Sequence, residues 1–312
     1  MGLGRNINLI EHVHTAIDDV NAYEHLPDID NLIVSAEKEE DKWIEDTTRL
    51  IGDWRSIFRS TYLRWALSIN GLHVASEKYS NQDWYNKNSF YVQSIRIGQN
   101  GTPEQAKMVT WDGVTAARAH LKTIDMMAAW GLIDLYGCFE EYIFTIYRAY
   151  LRYYPESILQ GDEFRQLRKL NQMKKQDTSL CLEWENKMKE RMDNWQKKRM
   201  YDGLDKVFLA YCNITGIKEP STFKLTNIQR WAEVIKGISL LRNCLIHGVK
   251  VVPQELAEYS KKPYSLTFDF VQGNQLKILL HHLQSVELFS NQLLSAINMS
   301  LVELMYPDLK KI

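Results

Sequence analysis

One nine-residue segment combines the residue types that proton transfer at a phosphate group requires. It reads Leu-Leu-Arg-Asn-Cys-Leu-Ile-His-Gly over residues 240–248. The guanidinium of Arg242 carries a permanent charge in a fork that matches phosphate oxygens, and the imidazole of His247 can accept and return a proton near neutral pH. Asn243 lies four residues before His247, on the same face of a helix, so its amide can orient the ring. The segment therefore predicts acid–base chemistry at a phosphate.

A capped helix carries this segment. The run Thr226-Asn227-Ile228-Gln229 is a capping box, and apolar residues follow at helical spacing until Gly248, which predicts a left-handed C-cap. Arg242 and Asn243 lie beside this apolar stripe, where burial costs several kcal/mol unless the groups are paired or line a cleft. Two interpretations follow: the side chains line a functional cleft, or Arg242 and His247 are buried and paired with carboxylates of the core.

The spacing of the two charged groups predicts a dimer. Arg242 and His247 are five residues apart, about 140° around an ideal helix, so one chain aims them poorly at a single phosphate. Two copies related by a two-fold axis could bring both groups to one shared cleft.

This pattern resembles the HEPN superfamily of all-α proteins, whose signature is an Arg, a polar residue and a His after four to six intervening positions. The match covers residues 126–300 and leaves 1–125 unexplained. The resemblance implies a homodimeric, metal-independent endoribonuclease, with His247 as general acid or base, Arg242 stabilising the pentacoordinate phosphate and Asn243 orienting the histidine. It further implies a toxin or anti-phage effector, with an antitoxin or defence-system component as partner. The alternative is a catalytically silent HEPN-like subunit of a nucleotidyltransferase or of a larger defence assembly.

A long core helix is predicted over residues 126–154, ended by Pro155. Asp134, Glu141 and Arg148 are spaced by seven along one edge of it. Glu141 could support Arg242 or His247 across the bundle, or it could form an ion pair with Arg148 worth less than about 1 kcal/mol.

Residues 165–200 form a basic block, with eleven Lys and Arg against five Asp and Glu, a net charge of +6. Trp184 and Trp195 lie within it, and a basic segment with interleaved aromatic residues can follow a phosphate backbone and stack bases. We therefore expect an RNA-facing surface here, although a pair of surface helices with solvated lysines explains the same pattern. The candidate RNA-binding residues are Arg165, Arg168, Lys169, Lys174, Lys175, Lys197, Lys198 and Arg199.

The remaining patterns predict an all-α fold: a helical bundle over residues 126–312, an accessory N-terminal helical region over 1–125, and at most short β segments. Apolar residues recur at helical spacing from Leu9 to Ile69, with a helix end at Asn70-Gly71. Alternating residues predict a strand at 89–98 and a short strand or extended arm over 264–271. Turn and capping signals predict a turn at Asn100-Gly101, a helix starting at Thr102, and a last helix over 274–304.

Composition and missing motifs exclude several classes of protein. With 38 Lys and Arg against 39 Asp and Glu the chain is not a wholly basic nucleic-acid coat. P-loop, GxGxxG, HExxH and GxSxG motifs are absent, the four cysteines are scattered, and no cofactor is predicted. Adjacent residues of a helix point apart, so His281-His282 is not predicted to bind a metal. Charges interrupt the apolar stretches and no secretion signal is evident, so we expect no membrane contact and a cytoplasmic location.

Overall fold

Helices dominate the computed structural model, which describes residues 31–308, and account for 69% of it. In chain order the elements are α1 (Lys42–Ser80), α2 (Gln82–Tyr85), β1 (Phe90–Ile97), β2 (Pro103–Trp111), α3 (Gly113–Tyr153), α4 (Arg165–Met173), α5 (Cys181–Arg199), α6 (Leu204–Thr215), α7 (Ile228–Ile246), α8 (Gln254–Ser260) and α9 (Leu280–Met305). The two strands form one antiparallel hairpin. The predicted all-α character with short β segments is confirmed at this level.

Helices α1, α3 and α9 pack through a set of buried aromatic rings. Phe58 of α1 meets Phe139 of α3 edge to face, with ring centroids 5.7 Å apart, and Phe139 stacks on Phe289 of α9 at 5.8 Å. Burying a side chain of this size contributes about 1.5–3 kcal/mol. On the other side, α6 packs on α3 through Tyr147 and Tyr211, whose ring centroids are 5.5 Å apart. Helix α3 is therefore the central element, and α7 packs on it as well.

The predicted boundary between residues 125 and 126 lies inside α3, which runs without a break from Gly113 to Tyr153. Core residues on both sides of it, from Val34 to Val302, belong to one apolar cluster. Pro155 follows the end of α3, as predicted. The predicted helix from Leu9 to Val20 lies outside the described residues.

The predicted helix end at Asn70-Gly71 is wrong, because α1 continues to Ser80. Glycine inside a helix costs only about 1 kcal/mol, which the packing of the flanking turns offsets. The chain turns instead at Asn81, whose side-chain oxygen accepts the backbone N–H groups of Asp83 and Trp84 and so caps α2.

The strand at 89–98 and the turn at Asn100-Gly101 are confirmed, the latter by the left-handed φ of +74° at Gly101. The helix predicted to start at Thr102 is wrong, since Pro103–Trp111 is β2. Pairing along β1 outweighs the capping signal of the sequence, and proline is tolerated at the first position of a strand. Helix α3 begins later, where the Asp112 carboxylate accepts the N–H of Thr115 at 2.6 Å.

Of the two structures predicted for 264–271, the strand is wrong, and α9 starts at Leu280 rather than at 274. The alternation in sequence reflects alternating burial. Phe268 and Phe270 are buried, whereas Thr267 before them and Asp269 between them are exposed. No partner strand lies beside this segment in the described chain, so it stays irregular. Over residues 31–308, every helix is too short or too polar to cross a membrane.

Candidate functional site

The candidate catalytic residues lie at the C-terminal end of α7. The helix begins one residue later than the capping box predicts, because the Asn227 side chain, not that of Thr226, accepts the N–H of Arg230 at 2.8 Å. It ends at Ile246 with His247 as the capping residue, and Gly248 follows with the predicted left-handed φ of +63°. His247 is exposed, so the interpretation of a buried histidine held by a core carboxylate does not apply to it.

Arg242 lies half-buried between α7 and α3. Its guanidinium carbon is 5.2 Å from the centroid of the Tyr136 ring, in a cation–π arrangement. The Tyr136 hydroxyl in turn accepts a hydrogen bond from Ser239 at 3.1 Å. Among residues 31–308, the buried Nε of Arg242 has no hydrogen-bond partner. The aromatic ring therefore positions the cation while part of its donor fork stays unused.

Asn243 contacts Arg242 rather than the histidine ring. Its side-chain oxygen accepts a hydrogen bond from Nη1 of Arg242 at 3.0 Å. Its backbone carbonyl, not its amide, accepts the N–H of His247, at 3.1 Å. Within one chain the amide thus orients the guanidinium, and Arg242 and His247 are joined only through the backbone of the helix end.

Glu140 of α3 lies within electrostatic range of Arg242. Burial raises the pKa of Glu140, and the positive charge of Arg242 opposes that rise. Glu141, the predicted supporting residue, is exposed on the next position of α3. Arg148 pairs with Asp193 of α5 at 2.7 Å. The sequence did not distinguish Glu140 from Glu141, because adjacent positions differ by about 100° on a helix and the packing of α7 decides which one is covered.

An open groove of 430 Å³ lies beside Arg242, lined also by Trp65, Trp130, Ile133, Asp134, Tyr136 and Gly137. The Trp65 indole N–H donates to the Asp134 carboxylate at 2.9 Å. Trp130 is 56% exposed, which is unusual for so large an apolar side chain. The groove was not predicted from the sequence, because a tryptophan at helical spacing is also what a core stripe contains.

The aromatic residues of the basic block do not face solvent. Trp184 and Trp195 are each only 5% exposed. The Trp195 ring meets Phe144 and Tyr147 of α3 edge to face, at centroid distances of 6.0 and 4.7 Å. The predicted stacking of bases on these two residues is therefore wrong: they anchor α5 to the core.

Three of the predicted RNA-binding cations already contact other residues of the same chain. Arg168 donates through Nη1 to the carbonyl oxygens of Leu159 and Gly161. Arg199 pairs with Asp202 at 2.8 Å. Lys174 lies over the Trp184 ring, with Nζ 4.3 Å from its centroid. The other five are exposed and have no side-chain hydrogen bond or ion pair within residues 31–308: Arg165, Lys169, Lys175, Lys197 and Lys198.

His281 and His282 come close to Asp269, with ligand atoms within 4.8 Å of one another. The His282 ring already uses both nitrogens, because Nδ1 accepts the N–H of Leu279 at 3.0 Å and Nε2 lies 3.3 Å from Asp269 Oδ1. With Nδ1 accepting, the proton of the neutral ring is on Nε2, so this arrangement leaves no nitrogen of His282 free to ligate a metal.

The chain matches no protein-family model, and no significant match exists among curated proteins or among solved structures.

Proposed function

We propose that this protein is a metal-independent endoribonuclease whose site combines Arg242 and His247 from two copies of the chain. The observation that carries the proposal is the end of α7, where a guanidinium held against the Tyr136 ring borders an open groove and an exposed imidazole lies five residues further on. The resemblance of Arg242-Asn243 and His247 to the HEPN signature supports the same chemistry.

In this reaction one His247 imidazole accepts the proton of a ribose 2′-hydroxyl, and the 2′ oxygen attacks the neighbouring phosphorus. The imidazolium formed in this step then gives its proton to the 5′ oxygen as the P–O5′ bond breaks. Arg242 stabilises the negative charge of the pentacoordinate phosphate. The products are a 2′,3′-cyclic phosphate and a 5′-hydroxyl, and the proton passes from one oxygen to the other through the imidazole.

A second copy of the chain would cover apolar surface around the histidine. Ile246, Val249 and Val251 flank His247 and are all exposed. Apolar side chains clustered around a polar site are typical of protein interfaces. We infer a homodimer formed through this end of α7, with the five free cations of the basic block as the approach for RNA.

The test is cleavage of RNA by the full-length protein in EDTA. His247→Ala and Arg242→Ala should each reduce the rate by about 10²–10⁴-fold, the usual contribution of a positioned acid–base group. His73→Ala is the matched control, because His73 is also an exposed histidine, but on α1. A His247→Ala protein that cleaves as fast as the wild type would remove the basis of the proposal. Solution mass tests the dimer independently.

The alternative, a catalytically silent binding or regulatory subunit, is favoured by a different observation. The β1–β2 hairpin exposes four apolar side chains, those of Tyr91, Ile95, Ile97 and Met108. Expression of the protein distinguishes the two functions: growth arrest that depends on Arg242 and His247 indicates the nuclease, in a toxin or anti-phage role. RNA that stays intact in the presence of the purified dimer indicates the silent subunit.

A further inference from the structure

A second pocket lies between α3 and the α4–α5 pair, away from the residues at the end of α7. Its volume is 470 Å³, within the range of about 300–1,000 Å³ typical of small-molecule sites. Four cations line it, Arg148 and Arg152 from α3 with Lys174 and Lys189 from the basic block. The one carboxylate in the lining is that of Glu185, which is exposed.

Three of these four cations are not held in an ion pair by another described residue. Arg148 is held by Asp193 at 2.7 Å and by the side-chain oxygen of Gln196 at 2.9 Å. Arg152, Lys174 and Lys189, by contrast, take part in no ion pair within residues 31–308. A concave site with several uncompensated cations attracts a multiply charged anion.

Lys174 is the most constrained of the three. Its ammonium lies 4.3 Å from the centroid of the Trp184 ring, so the side chain is held in place before any ligand arrives. Burial lowers the pKa of Lys174. An anion bound beside it would offset that cost, because an opposite charge nearby favours the protonated amine.

The floor of the pocket is apolar and is built from Trp184, Met188 and Met192. These three side chains are only 3–6% exposed, and the Lys174 ammonium lies over the Trp184 ring, so the floor offers little open surface to a nucleobase. A ligand of this site is therefore recognised through its charge, as a polyphosphate is. An RNA backbone fits less well, because Lys197 and Lys198, the exposed cations further along α5, do not line the pocket.

We propose that this pocket binds a polyphosphate anion, with its phosphates between Arg152, Lys174 and Lys189. The site is independent of the endoribonuclease proposal, since it shares no residue with the end of α7.

The experiment is calorimetric titration of the full-length protein with ATP, tripolyphosphate, adenosine and inorganic phosphate, in EDTA. Tripolyphosphate should bind at least tenfold more tightly than inorganic phosphate, because only the longer anion reaches all three cations, and ATP should bind about as tightly as tripolyphosphate. Adenosine binding as tightly as ATP, or no tripolyphosphate binding at millimolar concentration, would overturn the proposal.

Charge reversal assigns the binding to this pocket. Arg152→Glu combined with Lys189→Glu should weaken ATP at least tenfold, whereas Lys197→Glu combined with Lys198→Glu should change it less than twofold. All four side chains are exposed and both pairs change the charge equally, so an equal loss in the two proteins would contradict a specific site. Lys174→Met is a further variant that keeps an aliphatic stem over Trp184 and should also weaken ATP. Binding of single-stranded RNA alone, without tripolyphosphate, would count against the pocket as a polyphosphate site.

Discussion

Tryptophan is exposed beside the end of α7 but buried in α5. Beside Arg242, Trp130 is 56% exposed at an open groove. In α5, Trp184 and Trp195 are each 5% exposed and face α3, while the lysines between them face water. The same combination of aromatic and basic residues therefore forms a surface in one region and a core contact in the other. Residue type alone does not decide which.

The spacing within α5 explains its behaviour. Trp184, Met188, Met192 and Trp195 recur at intervals of four, four and three residues, and all four are buried. This is the apolar stripe of an amphipathic helix. The tryptophans belong to that stripe, and the cations fill the opposite face.

The largest expected effect concerns the end of α7 and comes from mixing subunits. If the site combines groups from two copies, Arg242→Ala and His247→Ala proteins should each be inactive alone, yet a mixture that exchanges subunits should regain activity. We expect cleavage at least about 10²-fold above either variant, since one acid–base group is worth that much. Gel assays of RNA cleavage after refolding the two proteins together measure it.

The control for this experiment is Arg242→Ala mixed with the Arg242→Ala/His247→Ala double variant. That mixture has no intact guanidinium at residue 242 and should stay inactive. Heterodimers that form, as shown by native mass spectrometry, but do not cleave would contradict the composite site.

The next prediction compares the two kinds of tryptophan directly. Trp195→Ala removes a buried ring that contacts Phe144 and Tyr147 and should lower the free energy of unfolding by about 3–5 kcal/mol. Trp130→Ala should change it by less than about 0.5 kcal/mol, because that side chain is exposed. Urea denaturation measures both.

For RNA affinity we expect the opposite ranking of the two variants, with the larger effect at the exposed Trp130. Trp130→Ala should weaken binding of single-stranded RNA, since stacking of a base on an aromatic ring contributes about 1–3 kcal/mol. Folded Trp195→Ala protein should bind as tightly as the wild type. A loss of affinity confined to the Trp195 variant would reverse the comparison between the two regions.

Much of this fold was predictable from local patterns, because they depend on neighbours in sequence. The β1 strand, the turn at Gly101, the end of α3 at Pro155 and the cap at Gly248 are confirmed. Features that depend on distant packing were not predictable: Pro103–Trp111 pairs with β1 instead of starting a helix, and 264–271 alternates without a partner strand in the described chain.

The candidate site also has some features that local sequence patterns predict and others that depend on the packing of helices. The position of Arg242, Asn243 and His247 at the end of a capped helix follows from spacing within α7. That Glu140 lies half-buried within electrostatic range of Arg242 depends on how α7 lies on α3. The groove beside Trp130 likewise needs both helices in place.

The Glu140–Arg242 interaction predicts a pH dependence of stability. Burial raises the pKa of Glu140 in the folded protein above the ordinary value of 4.5. As pH rises past that value, the unfolded chain ionises first, so Glu140 lowers stability progressively until the folded carboxyl ionises as well. Glu140→Gln should therefore gain stability relative to the wild type as the pH is raised from about 4 to about 7, measured by urea denaturation at each pH.

Glu141→Gln is the matched control, because Glu141 is the neighbouring, exposed carboxyl of α3. An equal gain in both variants would show that the trend comes from net charge rather than from burial. A stability of Glu140→Gln that falls relative to the wild type as pH rises would mean that the attraction of Arg242 outweighs desolvation.

The smallest expected effects belong to the exposed face of the basic block. Neutralising Lys175, Lys197 or Lys198 should weaken RNA binding modestly and make the slope of log affinity against log salt shallower by about 0.7 for each phosphate that the variant no longer neutralises. Arg168→Ala is the informative control, since Arg168 donates to the carbonyl oxygens of Leu159 and Gly161 and should affect stability instead of the salt slope. A salt slope that changes in the Arg168→Ala variant but not in the lysine variants would mean that RNA binds elsewhere. The exposed face of α5 would then be only the solvated side of a helix whose other side packs on the core.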